Sequence, residues 1–212
     1  LEPAARREIS EGIILAARYK MRCMDRWWQT PNLMFKPTSV VAVAGLATQD
    51  TEAIEWGFRR PGRTFDIAFI TPGSHGGYFR VMDAMLKDGG LWHESPTYPI
   101  AHKDLYCMAM VSRCLSLAQG RDWWRHKMPS GGSAAGLMDY YVDTAYPIER
   151  TGHGPGQIRV ATYGDGATNA KGDLFLVNPA GEHLNVTQGL VTSYQTSHGD
   201  KRLAPFVAMV PD

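Results

Sequence analysis

The segment from Asp88 to Tyr98, DGGLWHESPTY, gathers a glycine turn, a tryptophan, a histidine, an acid and a tyrosine between two helical runs. The spacing of apolar residues predicts amphipathic helices over 79–86 and 99–108. Pro99 suits the first helical position, which sets Tyr98 at a helix entrance. A tyrosine there is placed to move a proton. Its unperturbed pKa lies near ~10, so acting as a base requires a cation or hydrogen-bond donor to hold the phenolate. His102, one helical turn on, has the spacing to do so, and His93 and Arg26 are further candidates. Glu94 follows a tight turn, where it serves as an acceptor for backbone amides, as a substrate contact or as a general acid.

Each assignment has a plainer structural counterpart. Tyr98 can cap a helix and pack its ring, His102 can be a half-buried helical histidine, and Asn32, in WWQTPNL between two helices, can serve a turn. Tryptophans 27, 28, 92, 123 and 124 offer stacking platforms for sugar rings, but paired tryptophans on helices belong to cores. Only Trp92 and Trp28 are therefore assigned to a cleft.

Other chemistries lack their spacing. His75, His93, His102, His153, His183 and His198 form no metal-ligand pair. His93-Glu94 lacks the second histidine of a zinc helix, and the cysteines contain no C-x-x-C. No metal and no cofactor are expected. The glycine-rich run Tyr163-Gly164-Asp165-Gly166-Ala167 follows a strand-like stretch, yet it has neither the dinucleotide fingerprint nor the lysine of a phosphate loop.

The elements that must position these groups are mostly helices joined by Gly/Pro loops. A first long helix is expected over 3–28, with Pro3 as its starter. A hairpin follows over 38–46 and 51–58, its second limb opening after Asp50 as cap. Further helices are expected over 102–118, with a return limb over 122–127, and over 133–145. A last hairpin is expected over 185–195 and 201–209. The strand-like runs are 158–163 and 174–177, which would pair as a short β-hairpin. VVAVAGLATQDTEAIEWGF, YCMAMVSRCLSLAQGRDWWRH and VTQGLVTSYQTSHGDKRLAPF share one plan of apolar helix, polar turn and aromatic-faced helix. Such repetition implies stacked helix pairs, and the long His-, Tyr- and Trp-bearing loops favour an α/α toroid over an open solenoid.

The 212 residues suit one domain, and 44% hydrophobic content with 20% charged residues excludes a disordered chain. Twenty-two basic against 21 acidic side chains give a net charge of +1, so no overall field points to nucleic acid. No apolar run reaches the ~20 residues of a membrane span, and no export-signal pattern opens the chain. The start at Leu1 reads as a processed product or a piece of a longer protein. Cys107 and Cys114 lie roughly 10 Å apart along one helix, too far to bridge.

DGGLWHESPTY resembles the active-site loop of the heparinase II/III and alginate-lyase-like polysaccharide lyases, in which the closing tyrosine is the catalytic acid/base. The run Leu137-Met138-Asp139-Tyr140-Tyr141, then Ala145-Tyr146-Pro147 and Arg159 to Asp165, is similar to the stretch that follows in these lyases. The resemblance spans about 27–211. It implies an incomplete barrel of helical hairpins acting on an anionic polysaccharide by β-elimination, in the periplasm or outside the cell. Further domains would lie outside this chain, and a second copy or another chain would complete the cleft. Tyr98 would carry the proton and Asn32, the only asparagine upstream of the loop, would neutralise the uronate carboxylate. Leu33 stands where relatives often place a second Asn or a His. His93, Glu94, Trp92, Trp28, His75 and Asp165 would contact substrate, with His75, His93 and then His153 as nearest counterparts of the family's extra histidine. Two other functions fit the same residues. A hydrolase on a helical barrel would pair Glu94 with Asp165 or Asp88, and a noncatalytic glycan-binding repeat would use the aromatic rings for contact alone.

Overall fold

Pro3, with its fixed φ and no N–H to leave unpaired, opens helix α1 (Pro3–Met24) in the computed structural model, which describes residues 1–25, 31–59, 77–93, 104–146, 158–160 and 174–177. The described residues are mainly helical. α1 ends where the Asp25 N–H donates to the Met21 carbonyl at 2.9 Å, short of the expected 28. Only Ala17, Met21 and Met24 are buried on it, four and three residues apart on one stripe of its C-terminal half.

Helix α2 (Pro31–Thr48) starts a full two turns before the expected 38, and Pro37 lies inside it. Proline supplies no N–H to the preceding turn. The next hydroxyls fold back on the helix here: Thr38 Oγ1 donates to the Met34 and Phe35 carbonyls, and Ser39 Oγ to the Phe35 carbonyl. Thr38 and Ser39 are buried, so their hydroxyls are satisfied by the helix's own carbonyls. α2 closes on Gln49, whose φ of 58° lets the Asp50 N–H reach the Gly45 carbonyl at 3.0 Å.

Helix α3 (Thr51–Arg59) begins as expected after Asp50, whose carboxylate accepts the Ala53 N–H at 2.8 Å. α2 and α3 approach through small residues. A Cβ on Gly57 would fall 2.5 Å from Ala42 Cα, and one on Gly45 2.6 Å from the Ile54 nitrogen. α2 is also contacted by α1 and by α4 (Gly77–Met85). The chain clusters into two compact units, the first holding 1–85 and 110–123, the second 86–109 and 124–212. The core of the first is built from Met34, Phe35, Val41, Ala42, Val81 and Met82, with an aromatic run beside it. Tyr78 lies 5.3 Å from Phe35 and 6.2 Å from Phe58, and Phe79 stacks between Phe58 at 5.2 Å and Trp123 at 5.3 Å.

Helix α5 (Asp104–Gln119) stops at Gly120, whose φ of 64° ends it with the Gly120 N–H on the Ser116 carbonyl at 2.9 Å. The expected return helix over 122–127 does not form. Those residues run irregularly, because Trp123 is held by Ser116 Oγ, which accepts its backbone N–H at 3.0 Å, and by Gln119 Oε1, which accepts its indole N–H at 3.2 Å. The second of the three repeated hairpins therefore has only one helical limb. Trp123 and Trp124 are buried, as their assignment to the core required.

In the second unit, helix α6 (Ala134–Asp143) is capped by Ser133, whose Oγ accepts the Gly136 N–H at 3.0 Å. The helix stops at Asp143, two residues before the expected 145, and the chain turns into strand β1 (Ala145–Tyr146). β1 pairs antiparallel with β2 (Ile158–Val160), and β2 with β3 (Leu174–Val177), Ile158 opposite Val177 and Val160 opposite Leu174. The segment joining β2 to β3 and the hairpin expected over 185–209 lie outside the described residues.

Candidate functional site

The base of the Asp88–Tyr98 loop is built by backbone conformations that only glycine adopts freely. Gly89 and Gly90 have φ of 72° and 77° in a 3-10 turn over Asp88–Gly90. The turn is closed by the Lys87 N–H on the Leu91 carbonyl at 2.8 Å and the Gly90 N–H on the Lys87 carbonyl at 3.2 Å. Leu86 and Trp92 then bridge antiparallel, and both side chains are buried.

A second glycine turn backs the first. Met128 N–H donates to the Gly132 carbonyl and Gly131 N–H to the Met128 carbonyl, each at 2.8 Å. Lys87 bridges antiparallel to Gly131, and Ser130 Oγ donates to the Leu86 carbonyl at 2.9 Å. The two turns fit only without side chains: a Cβ on Gly132 would strike the Leu86 carbonyl, and one on Gly90 would fall on the Gly136 carbonyl at the start of α6. Two glycine turns and one capped helix N-terminus therefore interlock through main-chain atoms, and His93 leaves this base on an exposed position. Outside, Lys127 Nζ lies 3.8 Å from the Asp88 carboxylate; with side chains 71% and 78% exposed, the pair contributes little to stability.

The sequence-predicted residues fall in different places. Trp92 is 1% exposed, so its ring is a core side chain under the loop; its assignment as a sugar-stacking platform is corrected, because alternation with the exposed Leu91 and His93 turns it inward. Asn32 is the second residue of α2 and not part of a connection, since α2 begins at Pro31. Its side chain is outside the described residues, as are Trp28, His75, Glu94, Tyr98, His102 and Asp165. His93 is described and exposed in the second unit, while Asn32 belongs to the first.

The partnership of MPSGGS with DGG was missed. The signal was present in the paired glycines at 131 and 132, which read only as a helix breaker. Tyr140, on α6, has its phenol pushed up, chiefly by burial, with a hydrogen bond from Thr144 acting the other way. It is thus a protonated donor at neutral pH and not a base. Burial likewise pushes the Cys114 thiol up, against the smaller pull of Arg113, which disfavours its thiolate; none of the three cysteines is in a disulfide.

Among the described residues no group of three or more His, Cys, Asp or Glu side chains is gathered as metal ligands, and no helix is long and apolar enough to cross a membrane. No family model matches the sequence, and no curated protein or solved structure matches it.

Proposed function

We propose that the chain is a polysaccharide lyase that cleaves a uronic-acid-containing glycan by β-elimination. The observation that carries this reading is the residue order of DGGLWHESPTY. The interlocked glycine turns beneath its first half support it, because a loop that must present reactive groups needs a fixed base. Trp92 serves here as part of that base.

In the reaction Tyr98, held as phenolate, takes the proton from carbon 5 of the uronate. The electron pair left behind forms the double bond between carbons 4 and 5, the bond from carbon 4 to the glycosidic oxygen breaks, and the tyrosine proton returns to the leaving oxygen. The difficulty is the neighbouring carboxylate, whose charge opposes carbanion formation. The Asn32 amide donates to it and stabilises the enolate-like charge. His102 tunes Tyr98, and His93, Glu94, Trp28, His75 and Asp165 contact the sugar chain.

The same reading takes the α2–α3 hairpin as one unit of an α/α toroid carrying a short β-hairpin near 158–177. The toroid would be completed by a second copy or another chain, and the protein exported to the periplasm or beyond. Incubation with alginate, glucuronan, heparan-type and ulvan-type polymers should raise the ultraviolet absorbance of an unsaturated uronate on one of them. Tyr98→Phe should lower that rate by about 10²–10⁴-fold. A folded sample that produces no absorbance on any polymer overturns the reading. New reducing ends without absorbance, lost in Glu94→Gln and kept in Tyr98→Phe, would instead establish a hydrolase.

A further inference from the structure

The first unit holds a partly open pocket of about 180 Å³ among α2, α3, α4 and the C-terminal end of α5. Its walls are mainly apolar, formed by Leu46, Ile54, Phe58, Phe79, Leu115 and Trp123, with the amide of Gln119 among them. An apolar space of roughly 150 Å³ is large enough for a single six-membered aromatic ring. The solvent end is different in kind: among the described residues Arg59 and Arg121 line it with one acid, Glu55, and all three are exposed. Two guanidiniums thus outnumber one carboxylate, and among the described residues neither arginine has a carboxylate within salt-bridge distance. Arg121 is held in place, its guanidinium carbon 4.1 Å from the centroid of the Trp123 ring, while Phe79 stacks on that ring at 5.3 Å and 21°.

We propose that this cavity is a binding site for a small monocyclic aromatic carboxylate, its ring between Phe58 and Leu115 and its carboxylate at Arg59 and Arg121. Size selects one ring, apolar walls select against a sugar, and the two guanidiniums select an anion. The flat fork of arginine matches a carboxylate with two parallel hydrogen bonds, which a lysine at either position would not supply. The site is separate from the lyase reading, and neither depends on the other.

Benzoate is the probe, titrated calorimetrically into the full chain beside benzyl alcohol and acetate. A ligand of this size in a mainly apolar site should bind with Kd on the order of ~1 mM. Benzyl alcohol should bind about fivefold more weakly, and acetate not at all. Arg59→Gln with Arg121→Gln, both at exposed positions, should lower benzoate affinity about fivefold, to that of benzyl alcohol, leaving benzyl alcohol unchanged. Leu46→Phe, which fills the cavity, should remove both ligands while the helical circular dichroism is retained. Benzoate binding no tighter than acetate overturns the proposal, as does benzoate binding that survives the double arginine substitution unchanged.

Discussion

Gly89 and Gly90 have almost the same backbone, φ 72° and 77°, yet a side chain would meet nothing within 4 Å at the first and main-chain atoms of Gly136 and Leu137 at the second. Gly89→Ala should therefore cost about 1 kcal/mol, the strain of a left-handed alanine alone. Gly90→Ala should cost about 2–4 kcal/mol, because the first turn of α6, fixed by the Ser133 cap, cannot move aside without losing that hydrogen bond. Urea denaturation of the two variants measures the difference, and equal costs would mean that the loop base is not pinned. At this scale the sequence was legible where chemistry is local. Asp50 as cap, Pro3 as starter and the glycine turn at 89–90 each follow from one residue and its nearest peptide groups. Trp92 was misread because its burial depends on Leu86 across a bridge and on no neighbour in sequence.

The junction of α2 and α3 shows what a helix pair asks of its turn. Asp50 accepts the Ala53 N–H with one oxygen and the Arg18 guanidinium at 2.8 Å with the other, tying the turn to α1. The cap is the larger contribution, since the ion pair joins an arginine whose side chain is 49% exposed to solvent that screens it. Asp50→Ala should destabilise by about 1–2 kcal/mol. Arg18→Ala and Asp50→Asn, which keeps a capping oxygen, should each cost less than about 1 kcal/mol. Chemical denaturation ranks the three, and an Asp50→Asn as damaging as Asp50→Ala would shift the weight to the charge. The hairpin was legible for this reason, since apolar period and cap agreed. The extra turns of α2 were not, because Pro37 reads as a boundary, yet the helix runs through it. The irregular stretch over 122–127 was hidden by the same limit. A Trp-Trp pair with helical neighbours looks like a helix until Ser116 and Gln119, seven and four residues back on α5, take up the Trp123 donors.

For the whole molecule, 22 basic and 21 acidic side chains leave a charge of +1, and this decides how a polyanionic substrate would be gathered. A strongly basic enzyme draws such a chain from a distance, and its kcat/KM falls steeply as salt shortens the Debye length from about 30 Å at 0.01 M to about 8 Å at 0.15 M. Near-neutral balance removes that long-range field. What is left in the lyase reading is contact at the site, the Asn32 amide against a carboxylate and the histidines beside it, and contact interactions lie well inside the Debye length at either salt. On the uronate polymer that it cleaves, kcat/KM should therefore fall by no more than about threefold between those two ionic strengths, with kcat nearly constant. Initial rates of unsaturated uronate formation at several salt concentrations measure this. A drop of about a hundredfold would mean that cations are concentrated along the cleft and balanced by acids elsewhere, a distribution that composition conceals because it counts charges without placing them.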